Sequence, residues 1–162
     1  MADVLAGAKI SAGYWPPPLR LVSNTAFNFT STSPVDGVAE GGGVLAGTFL
    51  APKTGRIHVD VGGGIGRPSG TGAGNERASI MYEIYIGTSA GGSLLYPVAS
   101  SRRITQGGPI GQGPWFAGRG SVLDGLTPLA VHYIRCMVQR EGDTTGTTMR
   151  ILQRTIDVMA AP

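Results

Sequence analysis

The stretch that decides the fold is TFLAPKTGRIHVDV, at residues 48–61. An apolar run ends at Leu50, and Pro52 and Gly55 then supply the fixed φ and the accessible positive φ that suit a tight turn. After the turn, apolar and polar residues alternate over residues 57–61, which is the period of a strand with one buried face. The stretch therefore predicts a β-hairpin.

Apolar segments of the same kind recur along the chain, and the strongest lie at residues 78–86 and 130–140. No amphipathic helix longer than about two turns can be drawn. The Gly-rich stretches 62–74 and 104–113 are predicted loops, and a proline marks the weak segment 94–101 as an edge strand. About eight to ten short strands between turns predict an all-β antiparallel sandwich, a jelly roll.

Composition supports one turn-rich β domain. The 162 residues include 27 Gly and 11 Pro, but the glycines lie between β-type runs, which argues against disorder. Charged residues make up 14%, against a typical share of about 25%. The net charge is +3 and there is no polybasic run, so nucleic-acid binding is not predicted. The excess of Arg over Lys favours polar contacts across subunit interfaces.

Targeting and redox features point to a chain made in a cytoplasm. Cys136 is the only cysteine, so neither an intrachain disulfide nor a Cys-based zinc site is expected. The first residues lack the basic region and long apolar core of a signal peptide. No stretch approaches the roughly 20 apolar residues that span a bilayer, so membrane insertion is not predicted.

Residues 1–18 are predicted to be an extended arm, and residues 19–162 the sandwich domain. Tyr14 and Trp15 are large anchors that prefer a pocket with a polar edge. Pro16, Pro17 and Pro18 favour polyproline II and cannot join a sheet interior. Two interpretations are open: a PxxP-like ligand for a recognition domain, or an arm that packs on its own domain or on a neighbouring subunit. The second is favoured because no basic residue stands directly beside the aromatic-proline segment.

The two strongest strands each have a second face that is neither clearly core nor clearly solvated. Tyr82 and Tyr85 on one strand, and Tyr133, Arg135 and Met137 on the other, are the residues concerned. A subunit interface over these residues would explain the pattern. They are therefore predicted to form an oligomer interface.

No catalytic or cofactor site is predicted. Residues 62–74 match neither G-x-x-x-x-G-K-S/T nor a G-x-G-x-x-G followed by a helix. His58 and Asp60 share a strand face, but a third ligand at a suitable spacing is not evident. Cys136 lies between apolar neighbours and is expected to pack as a small hydrophobic residue. The chain is therefore expected to be non-enzymatic, with no metal and no cofactor.

Part of the stretch 48–61 resembles the hairpin of C1q/TNF-like jelly-roll domains, whose pattern is F-x-A-P-x-x-G-x-Y-x-F. The positions that match are Phe49, Ala51, Pro52 and Gly55. Ile57 and Val59 stand where that family has aromatic residues.

Three further segments resemble small β-sandwich virion proteins of tailed phages, particularly phages of actinobacteria. LDGLTP at 123–128 with HYIR at 132–135 is similar to their L-x-x-L-T-P-G-x-x-Y segment. GTTMRI at 146–151 fits the same pattern, and GYWPP at 13–17 is also similar to a segment of those proteins. Leu129 replaces the glycine expected after the Thr-Pro pair.

This resemblance implies a homotrimeric or otherwise multimeric jelly roll in a virion, docked on other virion proteins through residues 1–18. A tail or tail-tip position is favoured, and a capsid decoration or head-fibre protein is the alternative. A second alternative is a module that binds host-surface glycan. In that interpretation, Trp115, Tyr82 and Tyr85 would present aromatic platforms beside the Gly-rich loops 62–74 and 104–113.

Overall fold

The computed structural model describes residues 16–66, 75–109, 113–142 and 147–162. Ten strands occupy these ranges, with a short 3-10 turn at Ser100–Arg102. The strands are β1 (Leu19–Ser23), β2 (Phe27–Phe29), β3 (Ala46–Leu50), β4 (Ile57–Ile65), β5 (Asn75–Ile86), β6 (Leu94–Tyr96), β7 (Ile104–Pro109), β8 (Trp115–Leu123), β9 (Val131–Glu141) and β10 (Met149–Ala160). Over the same ranges, no helix has the length and apolar character needed to cross a membrane.

The strands form two five-stranded antiparallel sheets. The first has the order β1–β10–β4–β8, and β2 pairs with β10 beyond the end of β1. The second has the order β3–β9–β5–β6, and β7 pairs with β5 beyond the end of β6. When β1 with β2 and β6 with β7 are taken as interrupted edge strands, each sheet has four strand positions in jelly-roll order. The predicted all-β antiparallel sandwich is confirmed.

The hydrophobic core lies between the sheets, because alternate residues of each strand point inward. Its central members are Phe49, Ile57, Val59, Val61, Ile80, Tyr82, Ile84, Ile134, Cys136, Val138, Ile156 and Val158. Cys136 is fully buried, and burial raises the pKa of its thiol to about 12. The prediction that it packs as a small hydrophobic residue is confirmed.

Two predicted loops are in fact partly strands. Residues 62–64 belong to β4, and residues 104–109 form β7. Their glycines lie in strands because a neighbouring strand comes too close for a side chain. A Cβ on Gly63 would lie 2.3 Å from the carbonyl oxygen of Gln153, and one on Gly107 would lie 2.0 Å from that of Glu76. The weak segment 94–101 is a strand only at Leu94–Tyr96.

A buried arginine of β10 fixes the loop between β2 and β3. Arg154 Nη1 donates to the carbonyl of Asp36 (3.1 Å), and Nη2 donates to those of Gly42 (2.6 Å) and Gly43 (3.1 Å). Its guanidinium carbon lies 4.9 Å from the centre of the Phe27 ring. The side chain has no exposure to solvent, so this polar group replaces apolar packing at one end of the core.

The predicted arm lies outside the described residues except at its last three positions. Pro16 is buried, whereas Pro17 and Pro18 are exposed. β1 begins directly after them, with Leu19 opposite Val158 of β10. The residues directly before β1 therefore lie next to the end of β10, and the arm itself stays a prediction.

Candidate functional site

Two loops far apart in sequence hydrogen-bond to each other at one end of the sandwich. We call this the arm end: β1, β4 and β9 begin there, and β3, β8 and β10 end there. The N–H groups of Leu126 and Leu129 donate to the carbonyls of Gly55 (3.1 Å) and Ala51 (3.2 Å), and Ala51 N–H donates to Ala130 (3.0 Å). Gly55 has a φ of 66°, so the turn favours glycine. The segment that resembles C1q/TNF-like hairpins and the 123–135 segment that resembles phage virion proteins thus form one structural unit.

The last residues of the chain also bind at the arm end. Ala161 N–H donates to the carbonyl of Arg56 (3.0 Å), and Thr54 Oγ1 donates to that of Ala161 (3.3 Å). Arg56 forms an ion pair with Asp124 and donates from Nη1 to the carbonyl of Pro162 (2.6 Å). These contacts hold the two loops and the C-terminal residues together.

Exposed apolar side chains concentrate at the arm end. Of the eleven large hydrophobic side chains that are exposed in the described residues, seven lie there. They are Leu50, Ile86, Leu94, Val122, Leu129, Val131 and Met159. They come from both sheets and the loop before β9, so one end of the sandwich presents most of the exposed apolar side chains of the described residues.

Leu129 combines exposure with an unusual backbone conformation. It has a φ of 58°, although it is not glycine, and 51% of its surface is exposed. This conformation costs an L-residue roughly 1–2 kcal/mol. It lies where the phage pattern has glycine, so the turn geometry is kept although the residue is changed. Strain at an exposed apolar residue is consistent with a binding role.

The structure places the five predicted oligomer-interface residues in different surroundings. The prediction that Tyr82 belongs to an interface is wrong, because its side chain points into the core and has no exposure to solvent. Burial raises the pKa of its hydroxyl. Met137 is on the outer face of the second sheet, paired with Met81 of β5, but both are buried. Tyr133 and Arg135 are partly exposed on that face.

Tyr85 and Arg135 belong to a polar network on the outer face of the second sheet. Tyr85 Oη donates to Glu83 Oε2 (2.7 Å), and Arg135 donates to that oxygen and to Tyr85 Oη (2.9 Å each). Arg135 also lies 3.8 Å from Asp36. Burial, reinforced by Glu83, raises the pKa of Tyr85. The polar atoms of these predicted interface residues are already satisfied within the chain.

The other predicted docking residues are only partly described. Tyr14 and Trp15 lie outside the described residues, so their role as anchors stays a prediction. Pro16, Pro17 and Pro18 lie at the arm end, directly before β1.

The outer face of the first sheet carries an open groove of about 590 Å³. Its lining comes from β4, β8 and β10: Asp60, Val61, Gly62, Gly63, Phe116, Ala117, Gly118, Arg119, Gly120, Gln153 and Thr155. Sequence reasoning missed this groove because it treated residues 62–64 as a loop. The signal was present as alternating glycines, at 62 and 64 on β4 and at 118 and 120 on β8.

The exposed aromatic side chain in this region is not one of the three residues that the sequence predicted as a platform. Trp115 packs partly against the core, and Tyr82 and Tyr85 are buried. The neighbouring Phe116 points outward and is 67% exposed. Because side chains alternate along a strand, the sequence could not say which of the two adjacent aromatics faces solvent.

His58 and Asp60 lie together on the outer face of β4, at one end of the groove. Their Nε2 and Oδ1 atoms are 3.6 Å apart, and both side chains are partly exposed. Over the ranges that the structure describes, no group of three or more His, Cys, Asp or Glu side chains could hold a metal ion.

Comparisons with known proteins gave matches among solved structures alone. No protein-family model and no curated protein matches the chain. It is similar to a chain of the infectious bursal disease virus Gt strain, at 13% identity and a TM-score of 0.46, covering 90% of this chain and 34% of that one. It is also similar to the VP2 subviral particle of the same virus, at 9% identity and a TM-score of 0.48, covering 90% and 33%. The chain thus spans about a third of those chains' length.

Proposed function

We propose that this protein is a non-enzymatic structural component of a phage virion. In this proposal it is a multimeric jelly-roll protein of the tail or tail tip, and it docks on other virion proteins through residues 1–18 and the arm end. A capsid decoration or head-fibre position is the alternative.

The observation that carries the proposal is the concentration of exposed apolar side chains at the arm end. Leu50 and Val131 are cross-strand neighbours at the edge of the second sheet, and Leu129 lies two residues before Val131. β1 begins at the same end, so the arm that precedes it approaches the same surface. An arm and an apolar surface at one end fit attachment of that end to another protein of the particle.

The sequence resemblance supports the same surface. Its Ala-Pro-x-x-Gly and Leu-Thr-Pro segments are the two loops that hydrogen-bond at the arm end. The first of these loops resembles C1q/TNF-like jelly rolls and the second resembles phage virion proteins, and both lie at the proposed attachment surface.

Multimer formation is part of the proposal. On the outer face of the second sheet, Tyr133 and Arg135 remain partly exposed and could contact another copy. Tyr85 and Met137 would support that face from below. Sedimentation of the purified protein should show a homo-oligomer, expected to be a trimer, and a monomer at working concentration would contradict this part.

Incorporation into phage particles tests the attachment surface. Three variants are compared: deletion of residues 1–18, a polar arm-end variant (Leu50→Ser, Leu129→Asn, Val131→Thr), and a matched control (Val38→Asn, Val44→Thr). Val38 and Val44 are at least as exposed as the three substituted residues but lie away from the arm end. Immunoblots of purified particles should show loss of the first two proteins and normal incorporation of the control.

Thermal unfolding of each purified variant separates docking from folding. The proposal requires that the polar arm-end variant melts like the unchanged protein and is still lost from particles. Normal incorporation of that variant would contradict the attachment surface. Gold-labelled antibody on intact particles distinguishes tail from head.

A further inference from the structure

We propose that the groove on the outer face of the first sheet binds a hexose unit of a glycan. The proposal does not depend on the virion role, because it rests on the chemistry of the groove. A sugar ring has an apolar C–H face and a rim of hydroxyls, so its site needs an aromatic surface flanked by hydrogen-bonding groups. The groove offers both.

Phe116 provides the aromatic surface. Its outward position opposite Gly64 places the ring across that glycine, where a Cβ on Gly64 would lie 2.5 Å from Phe116 Cε1. The ring is therefore supported by the neighbouring strand although most of its surface is exposed. A fixed, exposed ring is costly to leave in water and is suited to pack against a ligand.

Polar groups lie across the other glycines of the groove. A Cβ on Gly62 would lie 2.8 Å from Thr155 Oγ1, and one on Gly120 would lie 2.5 Å from His58 Nε2 and 2.6 Å from Asp60 Oδ1. A hydroxyl and a carboxylate therefore extend over the floor, where they can bond sugar hydroxyls.

A third polar side chain is held in place before any ligand binds. Gln153 Nε2 donates to Asn24 Oδ1 at 2.8 Å, which fixes the amide at the side of the groove. Pre-ordered polar groups reduce the entropy lost on binding.

Gly118 lies at the position where the ligand would bind. The nearest atom to a Cβ there would be the carbonyl oxygen of Val61, at 3.7 Å, so no side chain covers this position. Phe116 lies two residues before it and Gly120, beneath Asp60, two residues after it. Along a strand this spans about 13 Å, enough for one or two sugar rings. The groove volume of about 590 Å³ falls within the range of small-molecule sites.

An open groove with few polar groups predicts weak binding at each site, with a Kd of roughly 1 mM. Repeated copies on one particle would raise the overall affinity without further contacts. A weak site is therefore useful if the protein is multimeric, and it is measurable on the purified protein in either case.

The test is saturation-transfer NMR and calorimetry on the purified full-length protein with three soluble probes: maltohexaose, cellohexaose and a mannan-derived hexamer. We expect at least one probe to bind. Gly118→Val should weaken that binding at least tenfold, because the new side chain would occupy the groove while its Cβ makes only an ordinary contact with the protein. Phe116→Ala should weaken it by a similar factor.

Val44→Thr is the matched control, because Val44 is an exposed valine that lies neither in the groove nor at the arm end. It should bind like the unchanged protein, and all three variants should melt cooperatively. The proposal is overturned if none of the probes binds at millimolar concentration. It is equally overturned if Gly118→Val and Phe116→Ala both leave binding unchanged, since the sugar would then bind elsewhere.

Discussion

Arg154 Nη2 donates a hydrogen bond of 2.6 Å to the carbonyl oxygen of Gly42, from a side chain with no exposure to solvent. The bond joins the last strand to the loop between β2 and β3. It shows how this sandwich uses a buried cation to satisfy a loop that has few apolar residues of its own.

Replacing this arginine should be among the most damaging single changes. Arg154→Met keeps an apolar stem but leaves the carbonyls of Asp36, Gly42 and Gly43 without their donor. Each buried carbonyl left unsatisfied costs about 1–3 kcal/mol, so the free energy of unfolding should fall by about 3–5 kcal/mol. Urea denaturation measures it, with Arg20→Met, at an exposed arginine, as control. A loss under about 1 kcal/mol would show that these hydrogen bonds contribute little to the stability of the fold.

Cys136 should be unreactive while the protein is folded. Burial raises its pKa to about 12, so almost no thiolate is present near pH 8, and the side chain is also sealed from reagents. A thiol-specific colorimetric reagent should therefore react only after denaturant is added. Because the chain has one cysteine, the reaction reports global opening. Rapid reaction in native buffer would mean that the sheets separate easily.

Leu129 should tolerate glycine. Leu129→Gly removes the cost of a positive φ, roughly 1–2 kcal/mol, and part of this gain is offset by the greater freedom of glycine in the unfolded chain. The free energy of unfolding should stay constant or rise by up to about 1 kcal/mol. Leu129→Ala keeps the Cβ and should show no gain. A clear destabilisation by glycine, measured by denaturant titration, would mean that the leucine side chain stabilises the isolated fold.

His132 should make stability depend on pH. The ring is fully buried, stacks on Phe49 with centroids 5.6 Å apart, and has Nδ1 3.2 Å from the carbonyl of Ala130. Burial lowers its pKa. In the unfolded chain the pKa is about 6.5, so just below that pH the unfolded state binds more protons than the folded state. The contribution is therefore complete above about pH 6.5 and decreases as the pH falls below it.

Melting temperatures measured from about pH 8 to pH 5 test this dependence. His132→Leu should flatten the fall in acid, whereas His58→Gln, at the other histidine, should keep it. The account of His132 fails if the two variants show the same pH profile.

The sequence correctly predicted the strands that bury one apolar face and leave the other face polar. Alternation over residues 57–61 and 134–138 identified inner faces correctly, since each strand there has one apolar face. Three other features depend on packing that no local pattern reveals. Gly63 and Gly107 lie in strands because an adjacent strand approaches closely, whereas the glycine pattern alone looks the same as that of a loop. Tyr82 is large and polar enough for an interface but fills the core. The groove arises only when β4 and β8 become neighbours.

The most direct test of the central claim is an electron cryo-microscopy reconstruction of the phage particles in which the proposal places this chain. The account predicts repeated jelly-roll density on the tail or tail tip, with the arm end and Leu129 facing the particle. Absence of the protein from particles, or attachment through the end opposite to the arm end, would contradict it.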